Sequence, residues 1–293
     1  MNTIIERTLN QTLLDIIDEP FVINNRNRNK FPLKIIPYVG CKAGFKEVFD
    51  TLIPRLDQNI KIVDVFGGGG AFSFYASNRF GSEKVTYNDN NPIVVNLIKS
   101  LRDDPIDLYH LYQNHFKKSS IDYYYEIRKM DLGDGVKGAS NFLYLAKNAF
   151  SGKIRFNSKN KFNSPMRKGS QCPRLALDSL VYLSKTIKNL TIANKDFRDF
   201  KHTQNSFLYL DPPYLNNDNG HYNGTIDLND FNSFLRSIEK SNMVLLSEQN
   251  KPEIFSLSKS NYHVCQVLLK RSLQYFTQKQ SKEIIAFNYS LND

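Results

Sequence analysis

The chain has 293 residues, 41% of them apolar and 13% aromatic, enough to bury the core of one large domain or of a domain carrying an insertion. No run of 18 apolar residues occurs, which excludes a membrane-spanning helix, and no basic-then-apolar leader opens the chain. The net charge of +10 points to an acidic partner, while three scattered cysteines (Cys41, Cys172, Cys265) without metal-ligand spacing read as reduced thiols of a cytoplasmic protein.

In chain order, Ile5, Leu9, Leu13 and Ile16/Ile17 recur at helical spacing, so residues 1–30 are expected to form an amphipathic helix and a polar, basic linker from Asn24 to Lys30. Pro37-Tyr38-Val39-Gly40-Cys41-Lys42 is a loop that offers an aromatic face, a close-approach glycine and a cation, though Pro and Gly mark any loop. Ile60–Phe66 is a predicted strand, and Gly67–Gly70 ends it at the mouth of an apolar helix containing Ala71, Phe72, Phe74 and Tyr75. Glycines there let the backbone turn and approach a ligand. A second strand, Lys84–Asn88, ends in Asp89, about twenty residues beyond the glycines, where an acid suits a pair of ribose hydroxyls. Strand, glycines, helix, strand and acid in that order predict a nucleoside-binding half-fold. The dinucleotide fingerprint is incomplete, because Phe72 or Ser73 stands where its third glycine belongs.

Pro92–Leu101 reads as a helix. From about 103 to 185 the strand–helix rhythm breaks into helices around 106–130 and 138–149, which marks an insertion. Between Gly135 and Leu177 stand nine Lys or Arg and no Asp or Glu, the electrostatic footprint of a phosphate backbone. Within that block Lys153–Asn157 and Lys161–Asn163 flank the turn Ser158-Lys159-Asn160. Such a hairpin places Ile154, Phe156 and Phe162 on one face and Lys153, Arg155 and Lys161 on the other, a basic face that can enter a groove. Lys188–Ile192 resumes the sheet, with Asp196-Phe197 just past its end. Phe207–Leu210 is a buried strand that stops at Asp211-Pro212-Pro213-Tyr214, since neither proline can donate to a ladder. Asp-Pro alone only starts turns, but a carboxylate, a rigid carbonyl and an aromatic ring at the carboxyl end of a strand form a ligand edge. A helix carrying Phe231, Phe234, Leu235 and Ile238 follows, then Met243–Ser247. Two C-terminal strands, about 262–270 and 283–289, are expected to pair antiparallel.

Together these segments resemble the Dam-type DNA adenine N6-methyltransferases. The likeness rests on Pro37-Tyr38-x-Gly40-x-Lys42, Asp64-x-Phe66-x-Gly68-x-Gly70, Asp89, Phe150-x-Gly152 through Arg155-Phe156-Asn157 to Phe162-Asn163-x-Pro165, Asp196-Phe197, Asp211-Pro212-Pro213-Tyr214 and the closing Glu283–Tyr289. It runs from about residue 32 to 290 in the family's order. The resemblance implies an α/β fold: a Rossmann-like methyltransferase sheet (31–102 and 186–293), an inserted, mainly helical target-recognition domain with a β-hairpin (103–185), and an N-terminal extension (1–30). It further implies S-adenosyl-L-methionine as cofactor, double-stranded DNA as substrate, no metal, and a cognate restriction endonuclease as a candidate partner.

Carried over residue by residue, the expected cofactor site comprises Tyr38, Lys42, Asp64, Phe66, Gly68, Gly70, Asp89, Asp196, Phe197 and Asp211. The expected catalytic group is Asp211, Pro212 and Tyr214, and the expected DNA contacts are Lys153, Arg155, Asn157, Lys159, Lys161, Asn163, Arg167 and Lys168, with Arg155 matching a base-reading arginine. Two departures stand out: Gly40-Cys41 where the family has two glycines, and Phe150-Ser151-Gly152 where it has aromatic-Asn-Gly. Rival readings are methylation of another nitrogen (cytosine N4, RNA adenine or a glutamine side chain), an inactive DNA-binding relative, and a nucleotide-dependent dehydrogenase.

Overall fold

The computed structural model describes residues 15–16, 21–24, 34–37, 42, 44–169, 171–213, 226–249, 262–270 and 280–291. Its frame is a nine-stranded sheet built from β1 (Asp15–Ile16), β2 (Phe21–Asn24), β3 (Lys61–Asp64), β4 (Val85–Asn88), β5 (Thr191–Ala193), β6 (Ser206–Leu210), β7 (Met243–Gln249), β8 (His263–Lys270) and β9 (Gln280–Phe287). The order is β1-β8-β9-β7-β6-β3-β4-β5, and β2 also pairs with β8. The pairs among β3 to β7 are parallel, whereas β9 runs antiparallel to both β7 and β8. The C-terminal pair is therefore the one the sequence predicts.

Strict alternation makes β6 a two-faced strand. Phe207 and Tyr209 enter one apolar cluster with Phe72, Phe74 and Leu97 from α2 (Ala71–Phe80) and α3 (Pro92–Asp103). Leu208 and Leu210 enter the opposite cluster with Phe231, Phe234 and Leu235 of α8 (Leu228–Ile238). Both faces are thus covered, as a parallel sheet requires. The first cluster extends without a break into α4 (Pro105–Lys118), α5 (Ile121–Ile127), α6 (Gly135–Asn148) and α7 (Leu177–Thr186), through Leu108, Tyr112, Tyr124, Phe142, Leu145 and Leu180. A short helix, α1 (Lys46–Leu52), seals its edge with Phe49, whose ring meets Phe72, Tyr75 and Tyr209.

Three details differ from expectation. The N-terminal helix is not what the described residues form: β1 and β2 are extended and lie parallel to β8, so this segment joins the sheet. The rest of residues 1–30 lies outside the described residues. The helical stretch near 106–130 divides at Ser119-Ser120, where the Ser120 hydroxyl accepts the Tyr123 N–H and starts a new helix. Helix α7, unforeseen in the sequence, is anchored by the buried Leu180 and Leu183.

Candidate active site

Elements β3, β6, β7 and β9 bring a ring of polar groups to one sheet edge. Period two sets the face: Ile62/Asp64, Phe207/Tyr209/Asp211 and Leu245/Ser247 share parity, as do Glu283/Ile285 on β9. The apolar members Ile62, Phe207, Tyr209, Leu245 and Ile285 all belong to the α2-side cluster, so Asp64, Asp211, Ser247 and Glu283 are directed to that side too. Glu283 stands near the start of its strand, yet it reaches the carboxyl edge of the parallel strands because β9 is reversed, pairing Glu283 with Gln249 at the end of β7.

Gly67 to Gly70 form the turn between β3 and α2. The Gly67 N–H donates to the Asn88 carbonyl, and an added Cβ would meet the Tyr87 ring at 2.2 Å, so only glycine passes here. Gly70 caps α2 with φ +80, a conformation that favours glycine. Asp89 braces the same turn: its Oδ2 accepts the Gly68 N–H at 2.9 Å and its Oδ1 the Asn91 N–H at 2.8 Å. Burial still pushes the Asp89 carboxyl above its ordinary range, against those two hydrogen bonds. Asn88, to which no sequence motif points, ties three strand ends together: its amide donates to the Val65 and Lys195 carbonyls, and its oxygen accepts the Lys195 N–H.

Asp64 accepts both the hydroxyl (2.6 Å) and the N–H (3.2 Å) of Ser73 on Oδ2, while its buried Oδ1 has no hydrogen-bond partner. Loss of hydration dominates, and the charges of Asp211 and Asp89 add to it, so the Asp64 pKa is pushed up to about 7 despite the two bonds from Ser73. Phe66 lies against Phe197 at 5.6 Å and Phe231 at 6.4 Å, an aromatic wall beside the glycine turn. Asp196 caps the short 3-10 turn at Phe197–Phe200 and holds the Arg198 guanidinium, which keeps its carboxyl below the ordinary range.

Asp211 follows β6, with Pro212 buried behind it. The Lys42 ammonium donates to Asp211 Oδ1 at 2.7 Å and Oδ2 at 2.9 Å, and lies 3.4 Å from Glu283 Oε2. The Lys42 and Glu283 side chains are 4% and 6% exposed, that of Asp211 22%. Burial raises the Asp211 carboxyl above its usual range, and Lys42 pulls it back down. The structure therefore gathers Lys42, Asp64, Gly68, Gly70, Asp89 and Asp211 at one edge. Tyr38 and Tyr214 lie outside the described residues.

The basic hairpin lies in the helical segment. Phe156 and Phe162 form its bridge, the Asn157 N–H donates to the Lys161 carbonyl and that of Asn163 to the Arg155 carbonyl. Ile154 and Phe162 are buried and Phe156 half-buried, whereas Lys153, Lys159, Lys161, Asn163 and Lys168 are exposed and Arg155 half-exposed. The Asn157 side chain is used within the hairpin, where its Oδ1 accepts the Lys159 and Lys161 N–H groups and sets the turn. Arg167 donates to the Gln171 carbonyl. Among the described residues, no ion pair neutralises any cation between 135 and 177.

Comparison with known proteins meets this geometry from another side. The model of the D12 class N6 adenine-specific DNA methyltransferases matches residues 38–273. The Type II methyltransferase M1.LlaDCHI of Lactococcus lactis subsp. cremoris is 28% identical over 291 residues, covering 91% of this chain and 99% of its own. The Type II methyltransferase M.MjaIII of Methanocaldococcus jannaschii is 25% identical, over 88% of this chain and all of its own. A DNA adenine methylase of Vibrio cholerae is 26% identical over 61% of this chain and 64% of its own. With most of its length matched, from the loop before Lys42 to beyond β8, the chain belongs to the D12 class of N6 adenine-specific DNA methyltransferases.

Proposed function

We propose that this enzyme transfers the methyl group of S-adenosylmethionine to N6 of an adenine flipped out of duplex DNA, with Asp211 and the Pro212 carbonyl as the groups that activate the amine. The observation that carries the reading is the pairing of two unlike surfaces: an acid-rich strand edge around a buried ammonium, and a hairpin block of cations that no ion pair among the described residues neutralises. The edge fits the cofactor. Asp64, Asp89, Asp211 and Glu283 outnumber Lys42 there, the Asp64 Oδ1 is buried without a hydrogen-bond partner, and the tilted rings of Phe66 and Phe197 offer an apolar aromatic wall for a purine. Asp89 would hold the ribose and Phe66, Asp196 and Phe197 the adenine end. When bound, the cofactor supplies an electrophilic methyl on a sulfonium.

The N6 lone pair of adenine is delocalised into the ring. Asp211 accepts one N6 hydrogen and the Pro212 carbonyl the other, which draws the amine towards tetrahedral geometry and returns density to nitrogen. These acceptors are fixed before the substrate arrives, because proline sets its own backbone and β6 is buried on both sides. As the nitrogen gains its methyl it sheds one proton, for which Asp211 is the nearest base. Reaching the edge demands that the base leave the duplex, at a cost of a few kcal/mol, which stacking on Tyr214 would offset. The segment from 103 to 185 would serve as the target-recognition unit, with Arg155 reading a base and Lys153, Lys159, Lys161, Arg167 and Lys168 holding phosphates.

The test is single-turnover methylation of unmethylated DNA with labelled S-adenosylmethionine, followed by nucleoside analysis. N6-methyl-2′-deoxyadenosine should be the product, and Asp211→Ala should abolish it while DNA binding persists. A wild-type rate from Asp211→Ala, or a product methylated at cytosine, would overturn the assignment.

A further inference from the structure

The proposed role of Asp211 raises a difficulty that the geometry itself answers. Asp211 is meant to accept a hydrogen from the target amine, yet both of its oxygens are engaged by the Lys42 ammonium, at 2.7 and 2.9 Å. A carboxylate has further lone pairs, but an ammonium straddling it draws charge from both oxygens. Lys42 cannot simply leave, because a buried ammonium without a counter-ion is costly. The chain provides a second carboxylate. Glu283 Oε2 lies 3.4 Å from the same nitrogen, too long for a good hydrogen bond and within ion-pair range. Both Lys42 and Glu283 are almost wholly removed from solvent, so water does not take over this duty.

We propose that Glu283 is a positioning residue that shares Lys42 with Asp211 and draws the ammonium towards itself when the target amine docks, freeing the Asp211 oxygens. The inference rests on the role of Asp211 proposed for the transfer. In the free enzyme Lys42 holds Asp211 ionised and oriented; in the loaded enzyme the ammonium shifts along the Asp211–Glu283 line and the adenine amine takes its place. Asp64 and Tyr209 share this side of the sheet, and the charges of Asp211, Asp64 and Glu283 all bear on the Tyr209 hydroxyl. Asp211 and Glu283 face Lys42 directly, Asp64 and Tyr209 stand on the same side of the sheet, and the Phe45 ring lies 5.6 Å from the Lys42 nitrogen.

The test uses the full chain with saturating S-adenosylmethionine and unmethylated plasmid DNA, comparing wild type with Glu283→Gln, Lys42→Met and the double variant. With the cofactor saturating, Glu283→Gln should slow the single-turnover rate about tenfold, the effect of one charged partner. Its acid limb should move to lower pH, since Asp211 then keeps the ammonium to itself; Lys42→Met should move that limb the opposite way. Once Lys42 is gone, adding Glu283→Gln should change nothing further. Equal slowing by Glu283→Gln with and without Lys42, or an unmoved acid limb, would overturn the proposal. Should Glu283→Gln fail to fold by near-ultraviolet dichroism, Glu283→Asp, which retracts the carboxylate by one methylene, must give the same displacement in smaller measure, and an unmoved limb there is equally fatal. A wild-type enzyme that methylates no adenine defeats the function itself. An active wild type with an indistinguishable Glu283→Gln variant defeats only this inference.

Discussion

Replacing Asp64 by asparagine should make the protein more stable at alkaline pH and leave it nearly unchanged in acid. The reason lies in one buried carboxyl whose Oδ1 meets no donor and whose pKa climbs from 3.8 to about 7 on folding. A group that binds its proton more tightly in the folded state gives stability that is complete below the unfolded value and lost as pH rises through the folded one. At about 1.36 kcal/mol per pH unit, the climb amounts to roughly 4 kcal/mol in all, of which about 2.5 kcal/mol falls between pH 5 and pH 8. Asparagine has nearly the same shape, its oxygen can still accept from Ser73, and it carries no charge to desolvate. Urea unfolding of the cofactor-free protein at both pH values measures the difference directly. The gap between variant and wild type should widen by about 2.5 kcal/mol from pH 5 to pH 8. A constant gap means that Asp64 is ionised throughout, and the account of this carboxyl is wrong.

Other substitutions probe the neighbouring parts. Gly67→Ala should cost about 1–3 kcal/mol or more, read from thermal unfolding, because its Cβ would meet Tyr87 Cε2 at 2.2 Å and the Asn88 carbonyl at 2.9 Å. Asp89→Ala removes the acceptor of two N–H groups; about 2–4 kcal/mol of stability should go with it, together with calorimetric affinity for S-adenosylmethionine, and an unchanged affinity would rule out the ribose role. Arg155→Ala should cost about 1–3 kcal/mol on the preferred site and relax discrimination at one base pair, whereas Lys159→Ala should weaken all duplexes alike and flatten the salt dependence by about one unit of slope. Uniform weakening by Arg155→Ala would make it a phosphate contact instead.

What the sequence makes legible are features written in local pattern. The apolar runs Phe207–Leu210 and Met243–Ser247 mark buried strands, and proline after Asp211 fixes where β6 ends. Glycines before an apolar helix fix the turn at Gly67–Gly70. Glu283 is visible in the chain only as a charge at the head of an apolar strand. Its place beside Lys42 follows from β9 running against β7, a pairing that no local pattern encodes. Ser73 and Asn88 are similar: a serine inside a helix and an asparagine ending a strand are ordinary locally, and only the packed structure brings them to Asp64 and Lys195. The N-terminal residues mislead for the opposite reason. Ile16 and Ile17 suit a helical stripe as well as a strand, and pairing of Ile16 with β8 decides in favour of the strand. The Ser119-Ser120 break and the Leu180/Leu183 spacing of α7 are signals in plain view, outweighed by the Tyr- and Lys-rich composition around them.

The charge of this chain is best understood as two separated populations. A net charge of +10 spread evenly would leave the sheet edge as basic as the rest of the surface. Instead the cations of 135–177 stand on a segment without acids, while Asp64, Asp89, Asp211 and Glu283 are drawn to the carboxyl ends of the parallel strands with Lys42 among them. Uncompensated lysines on the surface cost little, since water solvates them, and they attract a polyanion at long range. Buried acids are expensive, which is why those of Asp64, Asp89 and Asp211 are pushed towards neutrality. On the proposed mechanism the polyanion meets the first population and the sulfonium the second, and the flipped adenine is the only group that passes between them.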